Sequence, residues 1–159
     1  MKQFSKEEIE GARAYFLGQE FPEVKVELGE RRFNYFVIPQ SQEPNLPNFV
    51  LRMTGKPENG YVLGISNNVR REFRKYAVAH EFIEFIEFTE IGLDTPHRCT
   101  RALTEELTLV PKVILHDYAK MRGQFFRDLV DYCSKQPEFY TAADIKQFEK
   151  NAKTLESLL

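Results

Sequence analysis

The order of patterns along the chain predicts an α+β fold with an N-terminal helix, a small, mainly antiparallel sheet, and helices to the end. Three observations carry this. Apolar residues recur at helical spacing from Ile9 to Phe16, at period two from Val24 to Ile65, and at helical spacing again from Val69 onward. Strands gathered in one run, rather than alternating with helices, argue for α+β over α/β.

The first helix opens at Ser5-Lys6-Glu7-Glu8, the spacing of a capping box, and Gly18 ends it. Val24, Val26 and Leu28 then alternate with charged residues, Gly29-Glu30-Arg31-Arg32 turns the chain, and Phe33 to Ile38 reads as the partner strand. Pro39, Pro44 and Pro47 mark a loop. Phe49 to Met53 and Tyr61 to Ile65 are two further strands, separated by Gly55, Pro57 and Gly60. Tyr61 to Ile65 is also a candidate for pairing with an extended peptide. Ser66 and Asn67 are cap candidates for a helix from about Val69 to Ile91, stopped by Gly92. Thr95-Pro96 opens the next helix, which ends near Pro111. Leu115, Tyr118, Phe125, Phe126 and Leu129 mark another helix, and the capping box Thr141–Asp144 opens the last one. No internal repeat or linker divides residues 1–159, so one domain is expected.

Composition excludes several classes. Lys plus Arg number 22 against 24 Asp plus Glu, a formal charge of −2, so no polyanion-binding surface is advertised and no nucleic-acid partner is expected. No apolar run approaches the ~18 residues of a membrane span, and the N-terminal residues lack the apolar stretch of a signal peptide. Cys99 and Cys133 stand far apart, without a CxxC pair. A cytoplasmic location is the expectation.

The segment that carries chemistry is Tyr76-Ala77-Val78-Ala79-His80-Glu81-Phe82-Ile83-Glu84-Phe85-Ile86-Glu87. On a helix, His80 and Glu84 stand one turn apart on one face, as do Glu84 and Glu87. An imidazole nitrogen and a carboxylate oxygen so placed can reach one divalent metal ion. Glu81 points about 100° further round, where it can meet a water instead, as a general base must. On the following helix, Cys99, Leu103 and Val110 form an apolar stripe that includes Glu106. A carboxylate aimed at a core is costly unless it is paired or binds a metal. Glu106 is therefore the third-ligand candidate, with Glu105 as reserve; the competing reading pairs Glu106 with Arg98 or Arg101. Cys99 reads as a small buried apolar residue, and His97 and His116 as surface or packing residues.

Arg70-Arg71-Glu72-Phe73 leading into Ala79-His80-Glu81, with Leu107-Thr108-Leu109-Val110-Pro111 closing the next helix, resembles zincin metallopeptidases of the ImmA/IrrE type. The resemblance covers about residues 45–115 and leaves the C-terminal helices, 116–159, outside it. It implies a minimal zincin-like domain that binds zinc or another divalent metal and acts on a peptide or protein. The pattern here is HExxE, with Glu84 where that family carries its second metal histidine. The expectation is therefore a metal-dependent, peptidase-like hydrolase with a weak or degenerate active site: His80, Glu84 and Glu106 hold the metal and Glu81 activates water. Two carboxylates beside one imidazole also shift preference toward harder ions. The alternative is a non-catalytic zincin-fold module that has lost its metal and binds protein or peptide.

Overall fold

In the computed structural model, which describes residues 3–88 and 95–159, α1 (Lys6–Gly18) is followed by β1 (Glu23–Leu28), β2 (Arg31–Ile38), β3 (Val50–Thr54) and β4 (Tyr61–Ser66). Then come α2 (Arg71–Phe82), α3 (Thr95–Leu109), α4 (Lys112–Ser134) and α5 (Ala142–Glu156). The fold is α+β, and the sheet is mostly antiparallel, as the period changes predict. Its strand order is β1-β2-β4-β3. β1 and β2 form a hairpin across Gly29-Glu30, where Gly29 takes the left-handed φ of +61° that the tight turn requires. β4 runs parallel to β2 and antiparallel to β3.

Alternation sorts the strand residues between two layers. Phe33, Tyr35, Val37, Leu63 and Ile65 share a core with Phe73, Tyr76 and Ala77 of α2. Phe36, Ile38 and Val62 pack instead with Ile9 of α1 and with Leu46 and Phe49 of the proline-marked loop. A third core, built from Leu103, Ala119, Phe126, Ala152 and Leu155, joins α3, α4 and α5. Both capping boxes form: Ser5 with Glu8, and Thr141 with Asp144. Among the described residues, no helix is long and apolar enough to cross a membrane.

Three expectations change. β4 is paired on both sides, so its backbone has no free edge for a peptide; β3 is the edge strand on that side of the sheet. Ser66 is the buried last residue of β4, its hydroxyl donating to the Pro47 carbonyl 2.8 Å away; the next helix begins at the N-cap Arg70 with no side-chain cap. The long helix expected to reach Ile91 ends its α-helical part at Phe82 and continues as a π-helical turn, Ile83–Glu87. Ile91 and the stop at Gly92 lie outside the described residues.

Candidate metal centre

The last turn of α2 places His80 under the helical layer. Val78, Ala79 and Ile83 lock the helix into the core, and His80 itself is 2% exposed. Its two ring nitrogens have different surroundings. Nδ1 lies 2.8 Å from Glu106 Oε1 on α3. Nε2 faces the other way, 3.2 Å from Glu84 Oε2 and 3.6 Å from Cys99 Sγ. Glu84 sits in the π-helical turn, a local widening that recurs at functional sites.

Glu106 is wholly buried, as the apolar stripe on α3 predicts. Arg122 of α4 clamps the carboxylate with two N–H groups: Nε donates to Oε2 at 2.8 Å and Nη2 to Oε1 at 2.9 Å. The Tyr118 hydroxyl also donates to Oε2. Burial alone raises this carboxyl's pKa; the Arg122 guanidinium and the His80 contact outweigh it and hold it at about 2. The remaining Arg122 nitrogen, Nη1, has no hydrogen-bond partner among the described residues, but the guanidinium carbon lies 4.5 Å and 4.8 Å from the centroids of the Phe125 and Phe126 rings. Glu106 thus meets His80 at Nδ1, away from Glu84, with both oxygens engaged. Its contact at Nδ1 fixes the orientation of the imidazole. Its ion-pair partner is Arg122, not Arg98 or Arg101. The reserve candidate Glu105 is 43% exposed and turns to Arg31, 3.7 Å away. Glu87 also pairs with Arg31, at 2.6 Å, and so leaves the polar wedge it shares with Glu84 in sequence.

Cys99, in the first half of α3, takes the position facing Nε2. It is buried, and the Asn151 side-chain amide from α5 donates to its sulfur at 3.1 Å. Thr100 Oγ1 in turn donates to Asn151 Oδ1 at 3.2 Å, fixing which way the amide faces. Donor atoms of His80, Glu84 and Cys99 all lie within 4.8 Å of one another. A tetrahedral zinc ion with ordinary bond lengths sets donor separations of about 3.3 Å for N···O and about 3.6 Å for N···S. The 3.2 Å and 3.6 Å observed at Nε2 match these, so the residues fit such an ion.

The pKa shifts follow from the same contacts. Burial alone makes the His80 ring less basic, but its contacts with Cys99, Glu106 and Glu84 outweigh that and push its pKa well above the usual histidine value. Burial, reinforced by the Glu84 carboxylate, raises the Cys99 thiol. Glu81 is raised as well, first by burial and then by Glu84. Glu81 is partly exposed and pairs with Arg52 Nε of β3 at 3.6 Å; the Arg52 guanidinium also lies over Phe85, 3.6 Å from the ring centroid.

These groups open onto a cavity of about 520 Å³. His80, Glu81, Glu84 and Cys99 contribute to its polar part, and much of the rest of its lining is apolar, with Phe49, Leu51, Phe85 and Phe126 among the walls. No protein-family model, curated protein or solved structure matches this chain. The sequence signals for His80, Glu81, Glu84 and the burial of Glu106 lay in local helical periodicity. Tyr118, Arg122 and Asn151 gave no such signal, since each joins the site only through packing of α4 and α5.

Proposed function

We propose that this chain is a metal-dependent, peptidase-like hydrolase of zincin-like architecture, in which His80 and Glu84 bind a divalent ion and Glu81 is the general base. The observation that carries this reading is the convergence of a carboxylate-oriented imidazole and a second carboxylate on one cavity, with a further carboxylate beside them. A bound divalent ion supplies Lewis acidity, lowering the pKa of a coordinated water and polarising a carbonyl. The chain's own residues do the rest. Glu106, clamped by Arg122 and Tyr118, holds the His80 ring with Nε2 toward the cavity. Glu81 takes the proton of the attacking water, and its burial and the neighbouring Glu84 make it a stronger base than a free glutamate. The apolar walls exclude bulk water and accept an apolar side chain of an extended peptide. A cytoplasmic location belongs to this reading, in keeping with two free, buried cysteines.

The test is hydrolysis of an unstructured peptide mixture by zinc-loaded protein, with Glu81→Gln beside it. Cleavage is expected to disappear in the variant while metal content stays the same, because an amide cannot take the proton. Loss of metal in Glu81→Gln would make Glu81 a ligand, and unchanged cleavage would remove it from the mechanism.

One observation favours the second reading, a non-catalytic peptide-binding module. His80 lies between the Glu106 and Glu84 carboxylates with Arg122 behind, an arrangement in which an imidazolium would balance the buried charges without an ion. Under that reading, chelator-stripped protein takes up no zinc and retains its stability.

A further inference from the structure

We infer that Cys99 is a third ligand of the centre, bound as a thiolate, and that Asn151 holds its sulfur in place, so that the site selects a thiophilic divalent ion. This rests on the metal-binding reading of His80 and Glu84 and deepens it. The sequence alone offered three nitrogen and oxygen donors and therefore harder ions. The structure replaces one carboxylate with sulfur. Sγ lies 3.6 Å from Nε2, on the side of the ring away from Glu106, and shares with Glu84 and His80 the 4.8 Å sphere.

Two features make this more than a buried thiol near a histidine. The Asn151 amide is wholly buried, and it points an N–H at the sulfur from 3.1 Å. A donor aimed at sulfur favours the thiolate over the thiol, and hydrogen bonds from outside the coordination sphere are how proteins orient and tune metal-bound sulfur. Its other end is held by Thr100, which leaves the N–H group directed at the sulfur. The second is that the Glu84 carboxylate reaches the same ring nitrogen from 3.2 Å, so that nitrogen, oxygen and sulfur donors meet on one side of the imidazole. One nitrogen, one oxygen and one sulfur donor suit zinc, cobalt or cadmium and disfavour magnesium and manganese.

Cobalt(II) added to chelator-stripped protein tests this, because thiolate ligation gives an intense sulfur-to-cobalt charge-transfer band in the near ultraviolet. Cobalt bound by equilibrium dialysis is expected to show the band, and cadmium to displace it where manganese in excess does not. The chain holds two cysteines, so a band that persists in Cys133→Ser assigns the sulfur to Cys99 without requiring a Cys99 variant to fold. Cys99→Ser is expected to keep some cobalt on His80 and Glu84 and to lose the band. Asn151→Ala is expected to move the band to longer wavelength, since removing the N–H donor raises the energy of the sulfur electrons. Cobalt bound without the band overturns the role of Cys99 and leaves the His80–Glu84 centre standing; a band lost in Cys133→Ser overturns both, since it places the ion on Cys133. No cobalt bound at all overturns both. An unmoved band in Asn151→Ala removes Asn151 from the site.

Discussion

Arg122 and Glu106 form a buried pair whose value lies in what happens when one partner is removed. Arg122→Met leaves the buried Glu106 carboxylate without its guanidinium, held by His80 and Tyr118, and is expected to cost about 3–5 kcal/mol in urea unfolding; a loss below about 1 kcal/mol would show that Glu106 is not held by this pair. The pH dependence follows with a definite sign. The folded Glu106 carboxyl is depressed from 4.5 to about 2, so its contribution is present above pH 4.5 and lost as pH falls from there toward 2. The acid-unfolding midpoint of Arg122→Met therefore moves to higher pH than that of the parent. Metal uptake has the opposite proton bookkeeping. Burial and the Glu84 carboxylate shift the Cys99 thiol upward, contacts with Cys99, Glu106 and Glu84 shift His80 upward, and Nε2 and Sγ must each be free of a proton to bind an ion. Affinity is expected to rise about 100-fold per pH unit below both pKa values, with two protons released in buffer-dependent calorimetry. Release of none would mean that the ion sits elsewhere. At this scale the sequence revealed which residues are buried but not which atoms they face. The stripe on α3 located Glu106 and Cys99 together in the core, and only the packing of α4 and α5 decides that one meets Nδ1 and the other Nε2.

The elements themselves were legible wherever a local period governs them. The strands, α1 and the three C-terminal helices fall close to the positions that alternation, helical spacing and capping boxes mark. The insertion of β4 between β2 and β3 was not legible, because the parallel pairing of Phe36–Ile38 with Gly64–Ser66 depends on contacts between distant segments. Nor was the π-helical turn at Glu84, since a one-residue widening leaves no mark in an apolar pattern. The cap on α5 has a consequence for the centre. Thr141 anchors the helix that carries Asn151, and Thr141→Ala is expected to cost about 0.5–2 kcal/mol in thermal or urea unfolding. A null effect would show that packing of Ala152 and Leu155 alone sets the position of α5.

Across the whole molecule, α2 and the π-helical turn after it supply His80, Glu81 and Glu84, α3 supplies Cys99, and the helical layer supplies the groups that hold His80 and Cys99: Glu106, Tyr118, Arg122 and Asn151. α4 and α5 furnish three of those four supporting side chains. The centre is therefore a product of the complete fold and not of the HExxE helix alone. Zinc-edge anomalous diffraction from crystals of the stripped protein soaked in zinc tests this most directly. The account predicts one strong peak bonded to His80 Nε2, a Glu84 carboxylate oxygen and Cys99 Sγ, with Glu106 still on Nδ1. A peak bonded to Glu106, or no peak within reach of His80, would contradict it.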